Sequence, residues 1–151
     1  MEKSFDIIAQ TKANFLTLLN GLSIEQLNTI PAGFNNNIIW NFAHTIAAMQ
    51  VLCYKLSGLP LVVDENFVEL FKKGTKPEGF IDAEKLDHIK KLSALTLDKL
   101  KLDFQDKKFK TYIPYTTSYN VSLNSIEEAI QFVSVHDSLH YGYAKALTKL
   151  V

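Results

Sequence analysis

Two histidines four residues apart, His136 and His140, are the side chains of this sequence best spaced for binding a metal. On a helix, residues four apart lie about 40° from each other and one turn along the axis, so both imidazoles project from one face. The same face carries mostly apolar side chains: Ala129, Phe132, Val133, Tyr143 and Leu147. A buried polar group without a partner costs on the order of 1–3 kcal/mol. A metal ion between the two imidazoles would satisfy both.

The predicted third ligand is His44, which lies on another strongly apolar helix. Trp40 shares its face, and the small residues Ala47 and Ala48 nearby leave room for a pocket. Three neutral imidazoles suit Zn²⁺, Ni²⁺ or Fe²⁺ and leave coordination positions open for water or a substrate. The sequence therefore predicts a divalent metal (Zn, Ni or Fe) held by His44 and the histidine pair.

Four neighbours of these histidines are candidates for orienting a ligand or lining a substrate pocket: Trp40, Asn41, Asp137 and Tyr143. Tyr143 shares the face of the histidine pair. Asp137 lies about 100° around the helix from His136, on its flank, where a carboxylate can orient a metal ligand. No residue beyond the ligands is an unambiguous general base, so no catalytic residue is assigned.

Other arrangements of reactive residues fit this sequence less well. His136 and Asp137 together form the dyad of HD-type phosphohydrolases, but those enzymes need a further aspartate downstream, and none follows position 137. Cys53 lies nine residues from His44, about 180° around the same helix, and is predicted to be buried or at a dimer contact. The remaining histidine, His88, lies in a polar stretch and is predicted to be solvated.

Composition limits the partners and the location of the chain. Sixteen lysines balance sixteen acidic residues, with no arginine and no broad basic face, so nucleic-acid binding is not expected. The single cysteine allows no intrachain disulfide, which fits a cytoplasmic protein. The N-terminus lacks the apolar stretch of a signal peptide. Polar residues interrupt the most apolar segment, 38–56, which is therefore predicted to be a buried helix and not a membrane span.

Apolar residues recur with helical spacing along most of the chain. Four long helices are predicted: residues 3–19, a second from an N-cap at 35–37 to 57, a third over 82–104 and a fourth over 125–148. The pattern predicts an all-α four-helix bundle that forms a single domain over residues 1–151.

Capping and turn residues mark the ends of these helices and the connections between them. Ser23 with Gln26, and Ser125 with Glu128, have capping-box spacing, and Gly58 is placed for a left-handed C-cap. Residues 61–80 form an excursion between the second and third long helices, with a short helix around 65–72. The connection over 105–124 has room for one short strand.

The second long helix is apolar well beyond the face that carries His44. Its other sides present Ile39, Phe42, Ile46, Met49 and Leu56. This exceeds the apolar face that one bundle core needs. The excess surface is predicted to be buried either by the other helices or by a second subunit.

These motifs resemble the DinB-like superfamily over nearly the whole chain. That family places one histidine after an aromatic residue in the second helix, matched by Trp40 and His44. It also carries His-x-x-x-His-x-Gly in the last long helix, matched by His136, His140 and Gly142. The resemblance implies a four-helix bundle, a metal on the three histidines and a homodimer. Relatives with assigned activity include bacillithiol- and mycothiol-dependent transferases and a thiol-dependent isomerase, so it also implies a low-molecular-weight thiol as partner.

One departure from the family concerns the residue after the last histidine. Many relatives have arginine there, whereas this chain has Tyr141, so a substrate anion would need another partner such as Lys145. Two classes of function remain open. One is a metal-dependent thiol S-transferase or hydrolase that activates a thiol or water. The other is a non-catalytic bundle that binds a metal or small ligand.

Overall fold

The computed structural model describes all 151 residues as a bundle of helices. In chain order the elements are α1 (Glu2–Asn20), α2 (Ile24–Asn28), α3 (Ile38–Met49), α4 (Glu65–Phe71), α5 (Ala83–Gln105), β1 (Tyr115–Thr116), β2 (Ser122–Leu123) and α6 (Ile126–Leu147). The four long helices pack so that α5 and α6 each contact both α1 and α3. The predicted all-α bundle is confirmed, and α4 is the short helix of the excursion.

The connection between α5 and α6 holds two strands, where one was expected. They pair antiparallel, with Tyr115 opposite Leu123 and Thr116 opposite Ser122. A strand exists only by backbone pairing with another segment, so a strand within this connection needs a second one beside it. The pair brings the tip of this connection against the bundle close to the histidines.

Side-chain caps fix where the helices begin. Ser23 and Gln26 form the full capping box at α2, each side chain accepting from the backbone N–H of the other. At α6 only half of the predicted box forms. Ser125 accepts from the N–H of Glu128, but the Glu128 carboxylate accepts from the N–H of Asn124. The Glu128 side chain therefore hydrogen-bonds the residue before the N-cap and not the N-cap residue itself.

The second long helix changes its winding partway along. The α-helical part ends at Met49, a π-helical turn follows over Gln50–Tyr54, and a 3₁₀ turn over Lys55–Ser57 leads to Gly58 at φ +70°. The Gln50 side chain is buried and accepts a 2.7 Å hydrogen bond from the N–H of Val62. This bond ties the start of the excursion to the π turn.

The apolar side chains on all sides of α3 are buried within the single chain. Ile39, Phe42, Ile46 and Met49 are fully buried by the neighbouring helices, and Leu56 is partly buried. Cys53 is also fully buried, in the core between α1, α5 and α6. Packing inside one chain thus accounts for the apolar surface noted in the sequence. None of the helices combines the length and apolar character needed to span a bilayer.

Candidate metal centre

Three histidines converge where α3 and α6 pack against each other. His44 comes from α3, and His136 and His140 come from α6. One nitrogen of each ring lies within 4.8 Å of the others, and the ring centroids are 4.5 to 5.1 Å apart. This group can hold a metal ion. His88 lies exposed on α5, outside the group.

Hydrogen bonds at Nδ1 set the orientation of two of these rings. His44 Nδ1 donates to the backbone carbonyl oxygen of Phe71 at 2.6 Å, and His140 Nδ1 donates to Asn41 Oδ1 at 2.8 Å. The Asn41 amide nitrogen donates to the carbonyl of Asn37, which fixes which end of the side chain faces His140. Because both acceptors are oxygens without a proton, each Nδ1 carries the hydrogen. Each Nε2 therefore keeps its lone pair for a metal.

Burial makes these two imidazoles neutral. It lowers the pKa of His44 to about 4, although the Phe71 carbonyl acts in the opposite sense. Burial also lowers the pKa of His140 to about 3, helped by the neighbouring charges of His136 and His44. Both rings are therefore uncharged at neutral pH, which is the form that binds a cation.

His136 differs from the other two histidines. Its Nδ1 atom is buried and makes no hydrogen bond. The nearest carboxylate oxygen, Asp137 Oδ1, lies 3.6 Å away. The donor set fits a metal, because two rings present free Nε2 atoms and the third ring is partly buried, with a buried Nδ1 that has no hydrogen-bond partner.

The predicted neighbours take different places around the histidines. Trp40 stacks on His44 with ring centroids 4.7 Å apart and planes 9° apart, and its Nε1 donates to Thr75 Oγ1. Asp137 is fully buried beside His136. Trp40, Asn41 and Asp137, three of the four predicted neighbours, therefore lie beside the histidines.

Tyr143 lies elsewhere than the sequence pattern indicated. It is 39% exposed and packs against Phe34, with ring centroids 5.9 Å apart. It does not line the cavity at the histidines. Sharing a helix face was not sufficient, because Tyr143 lies about one turn beyond His140, where its ring packs against Phe34.

Two contributors to the site were missed in the sequence. The Phe71 carbonyl has no sequence signature, since every residue carries one. Lys12 of α1 is buried, with Nζ 3.4 Å from Asp137 Oδ2. A signal for Lys12 existed, because positions 8, 12, 15 and 19 follow helical spacing and the other three are apolar.

A cavity of about 510 Å³ opens onto the three histidines. Its apolar wall consists of Trp40, Ala47, Ala48, Val51, Leu52, Val68, Phe132, Val135 and Leu139. Three lysines and one carboxylate also line it, and Lys72 pairs with that carboxylate, Glu69. Lys55 and Lys73 have no carboxylate partner, so the lining carries a net positive charge. The volume suits a small organic molecule, and the charge favours an anionic one.

Fold and site together define a helical bundle with a three-histidine group that can hold a metal. The sequence pattern that defines the DinB superfamily matches residues 7–144, so the chain belongs to this superfamily. The crystal structure of a conserved protein from Enterococcus faecalis is similar, with a TM-score of 0.69, 16% identity, and coverage of 99% of this chain and 95% of that one. At this identity the likeness shows a shared fold. No curated protein matches the sequence.

Proposed function

We propose that this protein is a metal-dependent enzyme that transfers a low-molecular-weight thiol, such as bacillithiol, to an electrophile. The observation that carries the proposal is the group of three imidazoles in the lining of a cavity that also presents two unpaired lysines. A divalent cation (Zn, Ni or Fe) bound there would lower the pKa of a thiol or water and supply a nucleophile at neutral pH. The family resemblance favours the thiol.

The lining of the cavity also favours a thiol over water. Glu69 is the only carboxylate that lines it, and this side chain is exposed and paired with Lys72. The three histidines are committed as ligands, so no free general base stands beside them. A thiol ionises near pH 8.5, whereas water ionises near 15.7, so a thiol needs much less activation. Hydrolysis is the less favoured variant of this proposal.

The unpaired lysines supply the anion contact that many relatives obtain from arginine. Tyr141, at the position of that arginine, packs on Phe15, and Lys145 lies 6.0 Å from the Tyr141 ring centre. Neither Tyr141 nor Lys145 lines the cavity. Lys55 and Lys73 do, and they are therefore the proposed partners for an anionic group on the thiol, in place of Lys145.

The second candidate function is binding of a metal or small ligand without turnover. The observation that favours it is the lack of a free general base beside the histidines. The two candidates share one metal site. They differ in whether a molecule bound there reacts.

The test is S-transfer by the purified full chain, without an affinity tag, loaded in turn with Zn²⁺, Ni²⁺ or Fe²⁺. We expect bacillithiol-dependent consumption of a thiol-reactive electrophile with at least one metal. His140→Ala should lose metal and reduce the rate at least about 100-fold, because it removes a ligand. The exposed His88→Ala variant is the matched control. Activity unchanged in His140→Ala would remove the proposal, and stoichiometric metal without turnover would favour the binding function.

A further inference from the structure

A buried ion pair lies directly behind the histidine group. Lys12 of α1 and Asp137 of α6 have side chains only 6% and 1% exposed, with Nζ and Oδ2 separated by 3.4 Å. The other carboxylate oxygen, Oδ1, lies 3.6 Å from His136 Nδ1. One carboxylate therefore faces a buried lysine on one side and a candidate metal ligand on the other.

The polar atoms of this cluster are all buried and form no hydrogen bonds: Lys12 Nζ, both carboxylate oxygens of Asp137, and His136 Nδ1. Burying charges is costly unless they are paired and hydrogen-bonded. The other buried aspartate, Asp103, accepts hydrogen bonds from Tyr54, Lys99 and Lys108. The hydrogen-bonding capacity of Asp103 is thus used by its neighbours, as in a structural ion pair. Asp137 retains hydrogen-bonding capacity toward His136.

We propose that Lys12 and Asp137 are positioning residues for the metal centre. The Asp137 carboxylate accepts a hydrogen bond from the Nδ1–H of His136 and so directs the Nε2 lone pair toward the metal, while Lys12 balances the buried negative charge. Shortening the 3.6 Å contact by about half an ångström brings it to hydrogen-bond length. The inference rests on the proposed metal site and adds a part to it.

This assignment completes a pattern within the site. His44 is oriented by the carbonyl of Phe71 and His140 by the amide of Asn41, both through Nδ1. With Asp137, the third ring acquires an acceptor at the same atom. Acceptors of this kind fix the tautomer and raise the basicity of the ligating nitrogen, and their loss typically weakens metal binding 10- to 100-fold.

The experiment separates positioning from plain structural support. Asp137→Leu alone leaves Lys12 buried without a partner, so the double variant Lys12→Met with Asp137→Leu is also made, which removes both charges at similar volume. Zn²⁺ affinity is measured by chelator competition, and melting temperature is measured on the metal-free protein. We expect the double variant to recover the melting temperature lost by Asp137→Leu but to keep a Kd for Zn²⁺ raised 10- to 100-fold. Wild-type Zn²⁺ affinity in a folded double variant overturns the inference.

The matched control and a second readout keep the outcome decisive. Asp103→Asn changes the other buried aspartate and should leave the Zn²⁺ affinity unchanged. In ¹⁵N NMR spectra of the metal-free protein, His136 should be the Nδ1–H tautomer in the wild type and shift toward Nε2–H in the Lys12→Met/Asp137→Leu variant, which has no acceptor at position 137. An unchanged tautomer overturns the inference. Wild type that binds no Zn²⁺ refutes the metal site, whereas the tautomer, measured without metal, tests the Asp137 contact separately.

Discussion

At the scale of single residues, the three histidines differ in the groups that orient their rings. His44 is hydrogen-bonded to the backbone carbonyl of Phe71. A substitution of the Phe71 side chain leaves this acceptor in place as long as α4 keeps its position. His140 is bonded to the side chain of Asn41, 99 residues away in sequence. Asn41 also donates to Asn37, the N-cap of α3. One amide thus links the beginning of α3 to the candidate metal centre.

Replacing Asn41 by leucine tests this link. The Asn41→Leu variant leaves His140 Nδ1 without its acceptor, so we expect a 10- to 100-fold loss of Zn²⁺ affinity and a free energy of unfolding lower by about 1–3 kcal/mol. Chelator competition and urea unfolding measure the two effects. Asn28→Leu is the control, since the Asn28 side chain hydrogen-bonds the backbone of Ile24 and Ile81 and no histidine. It should lower the free energy of unfolding without changing the Zn²⁺ affinity. Equal Zn²⁺ affinity in Asn41→Leu and wild type would contradict the role of Asn41.

How much of the site was predictable depends on the residue. The three histidines were found because their type and spacing on apolar helix faces carry the information. Lys12 was not, because lysines are normally solvated and the partner that allows burial, Asp137, lies 125 positions away. Partners so distant are joined by packing of α1 on α6, which no local pattern specifies.

At the scale of elements, the end of the second long helix was predictable but its winding was not. Gly58 ends it as expected, whereas nothing between 50 and 57 marks a π-helical turn, since that segment contains no proline or glycine. The turn coincides with the bond between buried Gln50 and Val62, a tertiary contact. Such turns are frequent at functional sites. Here Val51 and Leu52 of the turn, with Lys55 just after it, line the cavity.

Asp103 of α5 accepts a hydrogen bond from Tyr54 of this turn. Because Asp103 can be protonated, the stability of the fold should depend on pH. Burial would raise the pKa of Asp103, but hydrogen bonds from Lys108, Lys99 and Tyr54 outweigh it and hold the pKa below its usual value. A lowered pKa stabilises the fold above the unfolded-state value near pH 4, and this stabilisation is lost as the pH falls through the folded value. Asp103→Asn should therefore lower the free energy of unfolding at pH 7 by about 1.5–3 kcal/mol and flatten its decline below about pH 4.

Urea unfolding of wild type and Asp103→Asn at a series of pH values measures this effect. The exposed Asp98→Asn variant on the same helix is the control, and its profile should follow the wild type. If Asp103→Asn and wild type lose stability in parallel on acidification, the bonds to Asp103 do not stabilise the fold as described.

At the scale of the whole molecule, the homodimer implied by the family resemblance stays a prediction. The apolar side chains of α3 no longer argue for it, because they are buried inside one chain. We expect sedimentation equilibrium to give about twice the chain mass of 17.1 kDa. A mass of one chain over the whole concentration range would show that the fold is complete as a monomer.

Metal binding should stabilise the whole bundle, because the ligands come from α3 and α6. The unfolded chain does not hold the three imidazoles together, so the metal binds the folded state preferentially. At a free metal concentration of 100 times Kd, the expected gain is about 2.7 kcal/mol. For a domain of this size the melting temperature should rise by roughly 5–10 °C.

Histidine variants show whether the gain comes from joining the two helices. His136 and His140 lie on one helix and form a two-ligand pair without α3, so His44→Ala removes the cross-link and leaves the pair. We expect His44→Ala to lose most of the metal-induced rise in melting temperature, and His88→Ala, outside the site, to keep it. Comparing each variant with and without metal cancels the effect of the substitution on the metal-free fold. A full rise in His44→Ala would mean that the α6 pair binds the ion alone, and that the arrangement of three imidazoles is not the metal centre.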